Sequence, residues 1–437
     1  MTHKLWQKSS GTKLHPLLEA YTVGDDPMLD LRLLPFDIAA SMAHAKGLRA
    51  IGMLTAKEAA LLLTALKKLR HEAEKGQVTI TVQDEDCHTV IENFLIAELG
   101  DLGKKIHTGR SRNDQVLVAL RLFLRDALAS IGAAAAELAG QFLTKAKRHQ
   151  WVPFPGYSHT QQAMLSSLGH YYGSFTESLL DDLDLLNAIK KHIDANPLGS
   201  AAGFGVALPL DRNGTTATLG FSRLQLNALY CQASRGKCES VFLEALVQMM
   251  LTLGRFATDM LFFTSQECGY FHADDTLVTG SSIMPQKRNL DGLEILRGSV
   301  RVIVHHQHGI QDIAACLLSG YNRDLQLLKK PLIESVDICM KSIAIASLYL
   351  EGLTPDEENI CRKITPGIFL ADVATAMAKE KGIPFRDAYR LAAQAPPASH
   401  DLRENIRSKI SLGAPGNLQL GRYAQRLKRF RNHGSHA

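Results

Sequence analysis

The chain has 437 residues, of which 46% are hydrophobic and 21% charged. That composition leaves room for several layers and more than one domain, and it excludes a disordered or fibrous chain. Lys and Arg number 49 against 44 Asp and Glu, a formal net charge of +5, a mild excess that is compatible with anionic substrates. The basic run Arg422, Arg426, Lys428, Arg429 and Arg431 lacks interleaved aromatics beyond Tyr423 and Phe430, so no nucleic-acid partner is expected. Seven cysteines, none in a C-x-x-C pair, argue against a disulfide framework or zinc site and for a reducing, cytoplasmic setting. The first residues show no apolar signal segment, and no run of about 18 apolar residues suggests a membrane partner.

The short alternation Val78–Val82 is the clearest predicted strand. Residues Thr108–Gln115 predict a helix N-terminus. Ser111 with Asp114 three positions on has capping-box spacing, with Asp in place of the usual Glu or Gln. Free N–H groups and the dipole at such an end attract a carboxylate, and Arg112 and Asn113 add donors. From Leu117 the apolar positions Leu120, Leu124, Leu128, Ile131, Ala135, Leu138 and Phe142 step by three or four. That stripe predicts one long helix over 115–149. The segment Pro155–Gln162 precedes the next predicted helix. It sets His159 between Ser158 and Thr160, and an imidazole titrates near neutral pH, which suits proton transfer.

Residues 165–193, 237–265, 290–315 and 323–350 repeat the helical period. Five predicted helices of about 25–35 residues far exceed the usual mean of about 11–12. The expected fold class is therefore all-α, a central bundle of long helices with smaller N- and C-terminal helical domains. Boundaries are expected near 108 and 354, giving segments 1–108, 109–354 and 355–437. Shorter helices are predicted at 370–381 and 384–395, before Pro396-Pro397 breaks the pattern. Wide, Ala-rich apolar faces on the central helices predict self-association. The glycine-rich run Gly199–Gly205 fits neither common nucleotide fingerprint. In the cluster His305, His306 and His308, the first and last share a helix face and the middle one does not, which favours solvated or capping histidines, and no metal is expected.

Thr279–Asn289 is the most informative stretch. Two hydroxyls, Ser281 and Ser282, follow a glycine, Pro285 blocks helix, and Lys287 and Arg288 bring positive charge. A possible proton acceptor beside a fixed cation suits abstraction of a proton next to a carboxylate, where negative charge must be neutralised. Glu294, on the helix that follows, is placed to pair with Arg297 or to orient the His159 imidazole. Tyr321–Gln326 with Lys329 opens the fifth helix. It reads as a capped first turn or as a row of donors for carboxylates and an amino-acid head group.

GSSIMPQKRN at 280–289 resembles the signature loop of the aspartase/fumarase superfamily, whose members eliminate fumarate from succinyl compounds. Together with TGRSRNDQV at 108–116, GYSHTQQ at 156–162 and YNRDLQ at 321–326, it is similar to the branch acting on argininosuccinate. The likeness covers about residues 20–395. It implies cleavage to arginine and fumarate without a cofactor, in a homotetramer with a twenty-helix core and active sites shared between subunits. By that resemblance Ser281 is the base, and Lys287 and Asn289 steady the dianion. Ser158 and His159, with Glu294 behind the imidazole, serve the acid side or hold the intermediate. Ser111, Arg112 and Asn113 bind the succinyl carboxylates, and Asp86, Tyr321, Gln326 and Lys329 hold the remaining polar groups. Ser234-Arg235-Gly236-Lys237 departs from the Ser-Asp-Arg-Asp run common there, and leaves Arg235 and Lys237 as alternative cations.

Overall fold

The computed structural model describes residues 14–394 and 401–433. The N-terminal segment read for a signal and the Pro396-Pro397 break lie outside the described residues. The five long helices are Arg112–Arg148, Leu168–Ile193, Lys237–Phe263, Asp291–Ala314 and Lys329–Gly352. The stripe from Leu117 to Phe142 explains the first of them. All eight of its positions are at most 4% exposed, so the period in the sequence is the buried face. The fifth helix begins later than its pattern suggests, because Arg323–Leu328 winds as a 3-10 helix. Helices Leu370–Lys381 and Phe385–Ala392 follow where the pattern puts them. Among the described residues, one helix, Ala228–Phe263, is long and apolar enough to cross a membrane by length and composition; its window has mean hydropathy 1.3, and 56% of it is buried inside the protein.

Two compact units divide the chain: residues 1–129, 186–246 and 303–337 form one, and 130–185, 247–302 and 338–437 the other. In the first, helices Asp26–Ala50, Ala56–Glu74 and Cys87–Leu99 surround an apolar core. Ala40 and Ala43 of the first of these helices belong to a buried apolar cluster with Val118, Leu122, Leu198, Leu219 and Phe221. Thr55 and Glu58 close a reciprocal capping box at the start of the second of these helices, which satisfies two otherwise orphaned N–H groups. The second unit is built on aromatic rings. Phe142 stands edge-on to Phe256 at 5.3 Å, and Phe154 edge-on to Phe263 at 5.0 Å, the offset geometry that the ring quadrupole favours.

Strands are few and short, three two-stranded pairs among the described residues. Two sequence expectations change here. Val78–Val82 is not a strand. It has no partner strand among the described residues, and Asp84 instead accepts the Thr81 N–H at 2.9 Å and the Thr81 hydroxyl at 2.7 Å, closing a turn. The helix expected from 165 begins at Leu168, because Gln161–Ser167 pairs with Pro153–Ser158 as an antiparallel hairpin that holds Pro155–Gln162. His159 and Thr160 form its two-residue tip with φ of 50° and 60°, the left-handed pair required by a type I′ turn.

Candidate functional site

In the first unit a polar cavity of about 160 Å³ is walled by Asp26, Asp30, Asp86, His88, Arg112, Asn113, Val116, Arg235, Tyr321, Arg323, Gln326 and Lys329. Six of the substrate-binding residues expected from the sequence, Asp86, Arg112, Asn113, Tyr321, Gln326 and Lys329, meet here. Local folding explains each position. Asp86 caps the helix Cys87–Leu99 by accepting the Thr89 N–H at 2.9 Å, and its other oxygen pairs with Arg112. Arg112 also reaches Glu85 at 3.3 Å. Ser111 and Asp114 make the expected helix cap: the Ser111 hydroxyl accepts the Asn113 N–H at 3.2 Å, and Asp114 accepts the Ser111 N–H at 3.0 Å. The second Asp114 oxygen accepts the N–H groups of Gly199 and Ala201 at 3.0 and 3.1 Å. The glycine-rich run thus wraps a buried carboxylate.

Lys329 lies 2.7 Å from both Asp26 and Asp30. Gln326 donates to the Thr22 and Val23 carbonyls at 2.9 and 3.2 Å, and Arg323 pairs with Glu85 at 3.0 Å. Burial shifts these charges in opposite ways. Desolvation pushes Asp26 up to about 6, against the pull of Lys329. Desolvation also opposes charge on Lys329, but Asp30 and Asp26 outweigh it and hold its pKa above the ordinary value. For Asp86, burial works upward, yet His88 and Arg112 keep the carboxyl below its usual range. His88 is buried on Asp37 at 2.7 Å. Desolvation disfavours its cation, but the carboxylates Asp37 and Asp86 win and raise its pKa.

Sequence reasoning missed Asp26 as a wall of this cavity, although Asp26 and Asp30 stand one helical turn apart, a readable spacing. It left Arg235 and Lys237 open. The structure separates them: Arg235 lines the cavity, while Lys237 is exposed and lies over the Tyr230 ring at 5.8 Å. Asp30, Cys87 and His88 are close enough together to hold a metal ion. Asp30 already holds the Lys329 ammonium and His88 the Asp37 carboxylate, so the cation's place is taken by a side chain. In the histidine cluster, His306 bonds Ser335 at 2.9 Å, and His305 and His308 are exposed.

The second unit carries the signature loop and the His159 hairpin. Backbone bonds Thr279 N to Asn289 O at 3.0 Å and Asn289 N to Thr279 O at 2.9 Å pinch the loop at its neck. Asp291 accepts the Thr279 hydroxyl at 2.6 Å, and Arg288 pairs with Asp275 at 2.7 Å. Within the loop, Ser281 Oγ accepts the N–H groups of Met284 at 3.1 Å and Ile283 at 3.3 Å. Two N–H groups aimed at one hydroxyl oxygen stabilise negative charge on it. Asn289 donates to the Gly280 carbonyl at 3.4 Å. Ser282, Lys287, Glu294, Ser158 and His159 are exposed. Among the described residues neither Lys287, Glu294 nor His159 has a side-chain hydrogen bond or ion pair, so the expected Glu294–His159 contact is not formed within one chain, and neither is the alternative Glu294–Arg297 pair.

The long-helix fold, the donor-lined cavity and the pinched hydroxyl-and-ammonium loop are those of a fumarate-eliminating lyase of the aspartase/fumarase superfamily. The family model described as Lyase matches residues 17–304. Curated relatives narrow the class. The chain is 44% identical to the argininosuccinate lyase of Sorangium cellulosum, covering 98% of this chain and 99% of that one. It is 43% identical to the argininosuccinate lyase of Thermotoga neapolitana, covering 90% and 98%. The chain belongs to the argininosuccinate lyase family. Among solved structures, an EDDS lyase in complex with formate is similar with TM-score 0.82 at 22% identity, covering 97% of this chain and 92% of that one. Class II fumarase from Schistosoma mansoni gives 0.76 at 16%, covering 99% of both. These two likenesses concern the fold.

Proposed function

We propose that the protein cleaves argininosuccinate to arginine and fumarate, in arginine biosynthesis in the cytoplasm, by base-assisted anti elimination. Ser281 Oγ takes the proton from the carbon beside a succinyl carboxylate. The electron pair left on that carbon is held as a dianion by Lys287 and Asn289. It then forms the double bond of fumarate as the carbon–nitrogen bond breaks. The leaving guanidino nitrogen receives its proton from the side of Ser158 and His159, with Glu294 orienting the imidazole. Ser111, Arg112 and Asn113 hold the succinyl carboxylates, and Asp86, Tyr321, Gln326 and Lys329 hold the other polar groups. No cofactor is needed for these steps.

The active unit is a homotetramer whose central helices form a common core, with each site assembled from several subunits. The chain divides functionally into an N-terminal segment to 108, a central bundle to 354 and a C-terminal segment. Exposed Glu294 and His159, without side-chain partners among the described residues, support the shared site. The observation that carries the reading is the Ser281 oxygen, already facing two N–H groups in a loop that also displays the Lys287 ammonium.

The test is fumarate release, followed by its ultraviolet absorbance, with argininosuccinate, adenylosuccinate, aspartate and malate as separate substrates. Turnover with argininosuccinate alone is expected. Turnover with another substrate and not this one overturns the assignment within the superfamily. Absence of turnover by a folded oligomer with all four overturns the enzymatic reading.

A further inference from the structure

The hairpin that carries His159 is fastened to the rest of the second unit one rung below its tip. Ser158, His159, Thr160 and Gln161 are exposed, and the next pair back is Tyr157 opposite Gln162. Cross-strand partners project to the same face of a strand pair, and here both side chains find partners. The hydroxyls of Tyr157 and Tyr270 share a hydrogen bond of 2.7 Å, and the Tyr157 ring stands edge-on to Phe262 at 5.5 Å. Gln162 Nε2 donates to the Lys363 carbonyl at 2.8 Å, and its Oε1 accepts the Thr365 N–H at 3.0 Å and the Thr365 hydroxyl at 3.1 Å. A carbonyl on one side and an N–H on the other fix which way the carboxamide faces. Gln162 closes the GYSHTQQ motif, and the proposed elimination gives it no task.

The anchor is itself held. Pro366 restricts Thr365 to extended backbone, with φ of −83° and ψ of 144°, which sets the direction of the Thr365 N–H. The helix Glu357–Arg362, just before Lys363, is capped by Asp356, which accepts the Asn359 N–H at 2.9 Å. Asn359 Nδ2 donates to the Cys268 carbonyl at 3.0 Å and to the Gly269 carbonyl at 2.6 Å, and the Asp356 N–H donates to the Tyr270 carbonyl at 2.9 Å. The Lys363 ammonium reaches the Glu267 carbonyl. Further along the second strand, Leu165 packs in a buried apolar cluster with Ile368, Phe369 and Ile406. The C-terminal segment is thus a bracket for this strand, and Gln162 is its polar contact closest to the tip among the described residues.

Gln162 is half-buried, and its partners are backbone groups and an exposed hydroxyl. Water can take those bonds over, so the chain does not need them to fold. Their value lies in direction. Three bonds from one planar group resist sliding of the strand, whereas at the tip the Thr160 hydroxyl bonds only the adjacent His159 carbonyl, at 2.6 Å. Proton transfer needs heavy atoms within about 2.6–3.2 Å, and a displacement of about 1 Å costs on the order of 100-fold in rate. We infer that Gln162 is a positioning residue for the proposed reaction: by fastening the second strand to Lys363 and Thr365, it fixes where the His159 imidazole stands. This rests on the proposed role of His159, and it gives the C-terminal segment a part in that role.

The test is a double-mutant cycle on kcat for argininosuccinate, followed by fumarate release from the intact protein. Gln162→Met keeps the side-chain length and removes all three bonds. It should lower kcat about 10- to 100-fold while KM changes by less than about 3-fold. In the His159→Asn background the same change should lower the residual kcat by less than about 2-fold, because the group it positions is already gone. Gln162→Glu, which keeps the acceptor towards Thr365, should recover part of the kcat lost in Gln162→Met. Equal losses in the two backgrounds would make Gln162 a residue of the fold alone and overturn the inference. An unchanged kcat, or a rise in KM alone, overturns it too. If Gln162→Met does not fold, Gln162→Glu carried through the same cycle decides by the same criterion. Failure of the functional reading looks different. Full turnover by His159→Asn removes the role of His159 and the inference with it, and a native protein that releases no fumarate removes the enzymatic reading as a whole.

Discussion

Lys329 Nζ lies 2.7 Å from Asp30 Oδ1 across 299 residues of sequence, and their side chains are 4% and 1% exposed. With Asp26 they form a buried triad that ties the fifth long helix to the first long helix of the N-terminal region. Removing the ammonium leaves two buried carboxylates without their cation. Lys329→Met should therefore lose about 3–5 kcal/mol of folding free energy, read from urea unfolding midpoints. Lys329→Met combined with Asp30→Asn should lose less than the sum of the two single changes. Additive losses would show that the pair is not coupled.

Ser281 is the residue whose loss should separate chemistry from folding. Its oxygen accepts two N–H groups in an exposed loop, and water can replace those bonds. Ser281→Ala should melt within about 1 kcal/mol of the native protein while kcat falls by about 10²- to 10⁴-fold. Near-normal turnover would assign the proton transfer elsewhere, with Ser282 the nearest alternative.

His159 combines a proposed chemical role with a turn conformation that few residues adopt, φ of 50° at the tip of the hairpin. Asn tolerates that conformation, so His159→Asn should keep the hairpin and remove the imidazole. We expect turnover to drop sharply with a smaller change in substrate affinity. An unchanged kcat would leave the histidine as a turn residue only.

Asp182 provides a pH-dependent test away from the proposed site. It is 8% exposed, and its carboxylate accepts the Thr252 hydroxyl at 2.8 Å. Desolvation by burial pushes its pKa up to about 6, with the neighbouring Asp181 adding to the shift. A carboxyl that is harder to ionise when folded holds its proton longer in the native state. Stability is then lost as pH rises from about 4 to about 6, and the loss persists above that window. Asp182→Asn should be more stable than the native protein at pH 7, on the order of 2–3 kcal/mol. The difference should vanish below about pH 4. A difference that does not depend on pH would point to packing instead of charge.

The sequence by itself determined the five long helices. An apolar period of three to four over about 30 residues admits one amphipathic conformation, and every position of the Leu117–Phe142 stripe is buried. The Ser111–Asp114 cap was legible for the same reason, since its partners are three residues apart. So was the joint placing of Ser281 and Lys287, which lie in one continuous loop. The His159 hairpin was not legible: no Gly marks its tip, and two non-glycine residues take positive φ instead. Val78–Val82 misled because alternation makes a strand only where a partner strand accepts its hydrogen bonds. The cavity itself was a tertiary decision. Asp26, Asp86, Arg112, Arg235 and Lys329 come from five separate stretches. Which cation finds a carboxylate, and which is left without one, depends on through-space distances of a few ångströms that no local pattern encodes.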